Sequence, residues 1–233
     1  MKRCFDILLS LLGLSLLAIP FAIIAPAIKL SSKGPVFYRQ QRIGRSGKPF
    51  WLYKFRTMYV GEGGSLVTVD GDPRITHVGR MLRRWKLDEL PQLWNVLVGE
   101  MSVIGPRPEV ERYVSHYTPE QRRLLEQTPG LAGLSQLVYP HEANMLSHYP
   151  DPEELYVREL LPRKLAIDLQ YETSRTFCSD LRLIAELALL IMGKSYRVDQ
   201  DFRIPACDKN RSQAKSSYER FLIFLYLSGA IDL

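Results

Sequence analysis

From Ile7 to Ile28 no side chain is charged, a run of 22 residues. A helix of that length covers a hydrocarbon core of about 30 Å. Its apolar residues surround the whole circumference, which a soluble surface helix seldom tolerates. Pro20 falls mid-run, where it removes a helical hydrogen bond, and Pro26 weakens the second half, so a break or kink is expected at Pro20. Beyond the run the pattern changes. Pro35–Ile43 and Phe50–Met58 read as strands, and Gly44-Arg-Ser-Gly-Lys-Pro49 supplies turn chemistry between them, so the pair predicts a β-hairpin. Residues 60–72 are Gly-rich and polar and read as a loop. A basic helix is expected over His77–Trp85 and another from Asp88 to Val98. Thr118-Pro-x-Gln121 has the composition of a capped helix start. Gly130 and Gly133 mark turns, and Pro152–Leu165 and Ser179–Met192 carry apolar residues at helical spacing.

These elements add up to a mostly α chain with a small β-hairpin. Residues 1–30 form a membrane segment, 31–193 a compact α/β domain, and 194–233 an extension that is polar to 216. The apolar run Phe221–Leu227 near its end is too short to span a bilayer. Basic residues flank the membrane segment on both sides: Lys2 and Arg3 before it, Lys29, Lys33, Arg39, Arg42 and Arg45 after it. Such residues stay cytoplasmic. With both flanks on one side, the segment must enter the membrane and return, with Pro20 as the bend. A straight crossing and a cleaved signal peptide are the competing readings.

Composition narrows the function. A charged fraction of 24% excludes a polytopic membrane protein, while 46% hydrophobic residues suffice for a core. A net charge of +6 calls for an anionic partner: phospholipid headgroups, a phosphorylated ligand or nucleic acid. No nucleic-acid-binding motif accompanies the charge, so nucleic acid is not expected. Cys4, Cys178 and Cys207 share no metal-ligand or redox spacing and fit a reducing compartment.

The densest chemistry lies in Arg83-Arg-Trp-Lys-Leu-Asp-Glu-Leu-Pro-Gln-Leu93, where Asp88 and Glu89 follow three cations. At a helix start, such carboxylates share the positive end with free N–H groups that bind phosphate. Magnesium favours one or two carboxylates plus phosphate oxygens, so Asp88 is a candidate ligand. A carboxylate can also attack phosphorus to give an acyl phosphate. Ordinary capping by Asp-Glu, with a solvated basic face before it, explains the dipeptide equally well in isolation. Pro106 and Pro108 hold Arg107 in stiff, extended backbone, which suits bidentate phosphate binding. Lys54 and Arg56 alternate on one strand and could form a cationic wall or a solvated face.

Eight further motifs follow the proline-interrupted apolar start in order: Tyr38-Arg-Gln-x-Arg-Ile-Gly44, Tyr53-Lys-Phe-Arg-Thr-Met58, Asp72-Pro-Arg-x-Thr76, Gly79-Arg-x-Leu-Arg83, Leu87-Asp-Glu-Leu-Pro-Gln-Leu93, Asn95-Val-Leu-x-Gly99, Met101-Ser-x-Ile-Gly-Pro-Arg-Pro108 and Pro129-Gly-Leu-x-Gly-Leu134. Together they resemble the bacterial sugar transferases, the monotopic polyprenyl-phosphate phosphoglycosyl transferases, over roughly residues 1–190. The resemblance implies transfer of a sugar 1-phosphate from a UDP-sugar to undecaprenyl phosphate, with release of UMP, at the cytoplasmic face of a bacterial inner membrane. This is the first membrane step of exopolysaccharide, O-antigen or glycoconjugate assembly. It also implies Asp88 as nucleophile, Glu89 as a second required carboxylate, Mg2+ as cofactor, Arg83 and Pro106-Arg107-Pro108 as motif positions, a re-entrant N-terminal helix among membrane phospholipids, and a plausible homodimer. The chain departs from the family at Ile19-Pro20, where some members have Ser-Pro, and over Leu137–Asn144, where others continue with a Gly-Arg-Asn-type segment. The alternative from another class is a non-catalytic membrane-bound protein that binds phosphorylated lipids. The presence of both Asp88 and Glu89 argues against it.

Overall fold

A computed structural model of the protein describes residues 2–61 and 64–192. The expected extension at 194–233, with its apolar run, lies outside the described residues. The chain divides near Leu169 into two compact units.

The first unit opens with α1 (Lys2–Ser31), one continuous helix that runs through both Pro20 and Pro26. The expected break is therefore not a break in the helical element. Among the described residues, α1 is the one helix long and apolar enough to cross a membrane. Its exposed face carries Leu8, Leu12, Leu16, Ile19 and Ile23. Its inner face buries Ile24 and Ile28 against Phe55 and Leu82, with Phe21, Val36, Val78 and Leu87 around them. Phe21 meets Phe55 edge-on at 4.8 Å, and Phe37 stacks on the same ring at 5.4 Å.

The hairpin is present as β1 (Phe37–Ile43) and β2 (Pro49–Phe55), antiparallel, with Tyr38 opposite Lys54 and Phe37 opposite Phe55. Ser46 and Gly47 turn the chain in the left-handed region, with φ of 59° and 73°. Helix α2 (His77–Arg84) begins where Thr76 accepts the Gly79 N–H at 2.9 Å, a side-chain N-cap. Gly79 has a separate purpose. A Cβ there would lie 2.1 Å from the Thr57 carbonyl, so only glycine lets α2 press onto the chain leaving β2.

Helix α3 (Gln92–Val98) starts four residues later than the sequence suggested, because Leu87–Glu89 is a separate 3-10 turn. Its Asn95 is fully buried and ties α3 to β2: Nδ2 donates to the Trp51 carbonyl at 2.7 Å, and Oδ1 accepts the Tyr53 N–H at 3.2 Å. Next come β3 (Ser102–Ile104), the short α4 (Glu111–Val114) and a 3-10 stretch over Gln121–Glu126, which the expected Thr118/Gln121 capping box starts. The strand β4 (Gly130–Ala132) pairs in parallel with β3, Ser102 opposite Gly130. This second small sheet was not expected; Gly130 lies in a strand because its backbone packs on Gly105 so closely that a Cβ would sit 2.1 Å from the Gly105 nitrogen. Short helices α5 (Leu134–Val138), α6 (Glu142–Ser147) and α7 (Pro152–Leu155) lead through a π turn at Tyr156–Leu160 into α8 (Leu161–Ser174), within which the division falls.

The second unit holds the end of α8 and α9 (Phe177–Ile191). Thr176 and Ser179 form a capping box at the start of α9, and Asp180 accepts from Arg175 and Tyr171 at 2.8 Å each.

Candidate active site

The segment between α2 and α3 is short of regular structure for a local reason. Lys86 adopts φ 55°, left-handed backbone that a non-glycine residue rarely takes. The chain turns sharply there and leads into the 3-10 turn carrying Asp88 and Glu89. Such strain concentrates at functional sites.

Glu89 is clamped. Arg107 donates to both of its oxygens, Nη2 to Oε1 at 2.6 Å and Nη1 to Oε2 at 3.2 Å, the forked geometry that suits a guanidinium. Lys54 Nζ donates to Oε1 at 2.8 Å. Burial works against the Glu89 charge, but the Arg107 and Lys54 cations outweigh it and hold the carboxyl well below its ordinary range. Glu89 is therefore a fixed anion at neutral pH.

Asp88 lies beside it and is shifted the other way. It is buried, and its Oδ1 has no hydrogen-bond partner among the described residues. Burial, then the Glu89 charge, push its carboxyl up, while Lys54, Arg83 and Lys86 oppose them. Two adjacent carboxylates thus have separated affinities for a proton, the arrangement by which active sites divide acid–base roles. Asp88 does not cap α3; Pro91 occupies that position.

Arg83 reaches back from the last turn of α2, its Nε donating to Thr57 Oγ1 at 2.9 Å. Its two terminal nitrogens make no hydrogen bond to the described residues, so they are free to meet a phosphate. Asp72, itself buried and bound by Arg74 at 2.7 Å, adds a further charge near Arg83. The structure thus brings together Asp88, Glu89, Lys54, Arg83 and Arg107. It does not bring Arg56. That guanidinium is buried under the end of α1, donating to the carbonyls of Ser32 and Lys33 at 2.8 and 2.7 Å. Lys54 and Arg56 share no wall, because Lys54 is committed to Glu89 and Arg56 to the carbonyls at the end of α1. Pro106 and Pro108 are buried on either side of Arg107. Pro20 lies in α1, away from the carboxylates in sequence and engaged in no contact with them that the structure records.

A model of the bacterial sugar transferase family matches residues 1–194. The chain belongs to the bacterial sugar transferase family. The sugar transferase EpsL of Bacillus subtilis, itself uncharacterized, is 33% identical over 184 residues, covering 79% of this chain and 83% of that one. The UDP-glucose:undecaprenyl-phosphate glucose-1-phosphate transferase of Caulobacter vibrioides is 37% identical over 188 residues, 78% of this chain and 66% of its own. The Escherichia coli protein of the same name is 45% identical over 146 residues, but the match spans only 31% of its length. Membership places the carboxylate pair in a family context but leaves its charge state to local geometry.

Several site features carry no simple sequence signal. Asp6, at the start of the apolar run, reaches β3. Glu142, in the segment that departs from the family pattern, is bound by Lys164 at 2.7 Å and adds negative charge toward Arg107. Asp70 N–H donates to the Ala143 carbonyl at 3.1 Å, so the polar loop packs against α6.

The electrostatics predict a pH effect. Lys54 lowers the Asp88 affinity for a proton. In Lys54→Met, Arg107 still holds Glu89 ionised, so Asp88 faces that anion with one cation fewer and its pKa rises. The acid limb of the rate profile therefore moves to higher pH. Initial rates across pH 5–9 for both proteins check this; a limb that stays put or moves to lower pH refutes the role given to Lys54.

Proposed function

We propose that this protein transfers a sugar 1-phosphate from a UDP-sugar to undecaprenyl phosphate through a covalent intermediate on Asp88, releasing UMP, as a membrane step of exopolysaccharide or related glycan assembly. The observation that carries this reading is the pairing of a buried carboxylate having an unengaged oxygen with a neighbour saturated by two cations. Asp88 is raised in basicity by burial and then by Glu89, while Lys54, Arg83 and Lys86 favour its ionised, attacking form. Its oxygen attacks the phosphorus that bears the sugar; the Asp88–phosphorus bond forms as the bond to UMP breaks. An oxygen of the lipid phosphate then attacks the same phosphorus and frees Asp88. Double displacement lets one nucleophile serve two anionic substrates in turn. Arg83 offers unengaged N–H groups for phosphate oxygens, and fixed charges of this kind stabilise the transferring group without reorganisation. Glu89 keeps Lys54 and Arg107 in place.

Magnesium fits this site in a particular way. Glu89 is already saturated, and no cluster of three ligand-type side chains gathers among the described residues. The ion would take Asp88 as its protein carboxylate and complete its shell with phosphate oxygens and water. Bound there, it would neutralise diphosphate charge.

The N-terminal helix is proposed to be re-entrant, with both ends on the cytoplasmic face of the inner membrane. Support comes from its attachments. Near its start, Asp6 accepts from Ser102 and Val103; at its end, Arg56 caps it. Both anchors belong to one compact unit, which a straight crossing would have to divide between two sides. Phospholipid acyl chains would cover the exposed leucine and isoleucine face. A lipid-binding protein without catalysis would not need Asp88 to remain unpaired.

The test is direct. The full chain in vesicles containing undecaprenyl phosphate is given a panel of UDP-sugars with magnesium. Release of UMP with one or more of them is expected, lost on chelation. No release with any sugar, although the lipid phosphate binds, would favour the non-catalytic reading.

A further inference from the structure

Both ends of α1 are held by polar contacts, which is unusual for a segment so apolar. Asp6 is 4% exposed. Its Oδ1 accepts the Ser102 hydroxyl at 3.1 Å and the Val103 N–H at 3.0 Å. The strand β3 pairs with β4 along one edge, with Ser102 opposite Gly130, Ile104 opposite Ala132, and Ser102 N–H donating to the Pro129 carbonyl. Alternate amides face the opposite edge, where Val103 N–H would lack a partner without Asp6. Lys2 adds a bond to the Ile104 carbonyl at 3.0 Å. Three residues beyond Ile104 stands Arg107, one arm of the Glu89 clamp.

The other end repeats the pattern. Arg56, 4% exposed, donates to carbonyls of the last turn of α1 and just beyond. Gly34 is tailored to it, since a Cβ there would lie 1.9 Å from Arg56 Nη1. Two residues before Arg56 stands Lys54, the other arm of the clamp. Between the anchors, α1 packs on residues next to the site: Phe55 follows Lys54 and Leu87 precedes Asp88.

We propose that Asp6 and Arg56 are positioning residues, through which docking of the membrane helix at both ends sets the two cations that hold Glu89. This deepens the phosphoglycosyl-transfer reading and rests on it: the helix is part of the active-site scaffold as well as an anchor. The enzyme would then reach full activity only when α1 is seated, so the lipid environment of α1 would govern the catalytic step.

The test uses the full chain in phosphatidylglycerol/phosphatidylethanolamine vesicles containing undecaprenyl phosphate, with magnesium, as wild type, Asp6→Ala, Asp6→Asn and Arg56→Lys. Hydrogen exchange at 102–108 and 52–57, and the kcat and KM for UDP-sugar, are measured on the membrane-bound fraction. In Asp6→Ala, exchange should rise over 102–108, including around Arg107, and kcat should fall about 10- to 100-fold, the usual cost of a small misplacement. KM should stay within about twofold, since ground-state contacts remain. Asp6→Asn keeps an acceptor oxygen and should recover most of the rate. Arg56→Lys should loosen 52–57 with a similar fall in kcat. Unchanged exchange at Arg107 in Asp6→Ala, or faster exchange with unchanged kcat, would overturn the proposal. If wild type transfers no sugar phosphate, the functional reading fails, while the exchange data still judge the link between helix and clamp.

Discussion

Asp88→Asn should abolish UMP release and at the same time make the folded protein more stable. Asparagine keeps the shape of the side chain and removes the attacking carboxylate. Loss of a nucleophile from a covalent mechanism should cost at least about 10^3-fold in rate. The stability gain follows from the same burial. The carboxyl is 6% exposed, one oxygen has no partner, and Glu89 is beside it. Asparagine leaves polar atoms in the same place, so the gain comes from removing a buried charge that the Glu89 anion repels. The pH dependence has a definite sign. The Asp88 pKa is raised in the folded state, so above its unfolded value folding favours the protonated form. Stability contributed by this group therefore falls as pH rises through the interval between the unfolded and folded values. Asp88→Asn should melt higher than wild type at neutral pH, and the difference should shrink in acid. Thermal unfolding across pH checks the second claim, and UMP release checks the first. A variant that retains turnover sinks the nucleophile assignment. A variant less stable at neutral pH sinks the account of burial.

How far this could be read from the sequence depended on whether a feature was local. The hairpin was legible because alternating residues flank a turn-rich segment, and α2 because of its basic run. The carboxylate pair was legible as a motif. Its charge states were not, because they depend on Arg107, 18 residues away, and Lys54, 35 residues away. The start of α3 is not legible because Asp-Glu resembles a helix N-terminus, whereas left-handed Lys86 leads into a separate 3-10 turn. Arg56 looked like a partner of Lys54 by alternation. Alternation does not show which partners a long side chain finds, and the carbonyls at the end of α1, more than 20 residues away, take the guanidinium. Asp6 went unread because it sits just outside the uncharged run, where an aspartate looks like a helix-start residue. Only the pairing of β3 with β4 shows that an amide on the opposite edge needs it.

The same dependence on distant partners makes Arg107 the second sensitive position. Arg107→Ala leaves Glu89 with Lys54 alone. Removing one partner from a fully buried pair costs about 3–5 kcal/mol, and the lower end applies here because the guanidinium is 23% exposed. The activity should fall by about 10^2–10^3-fold, the usual loss when a fixed charge near a reacting group is removed. Arg107→Lys should recover part of the stability but little rate, because an ammonium cannot bond both Glu89 oxygens in the observed fork. The Glu89 pKa is depressed in the folded state, so its ionised form contributes stability above the unfolded value, lost as pH falls through the folded one. Destabilisation by Arg107→Ala should therefore be greatest at neutral pH and fade in strong acid. A double-mutant cycle separates the two roles. Glu89→Gln removes the anion that Arg107 neutralises, so adding it to Arg107→Ala should restore stability toward wild type. It should not restore turnover, because Asp88 would then lack the ordered cations around it. Recovery of both would make Arg107 a purely structural partner of Glu89. Recovery of neither would mean that the 2.6 Å contact is not the main source of the Arg107 effect. Recovery of stability alone is the outcome that the clamp geometry requires.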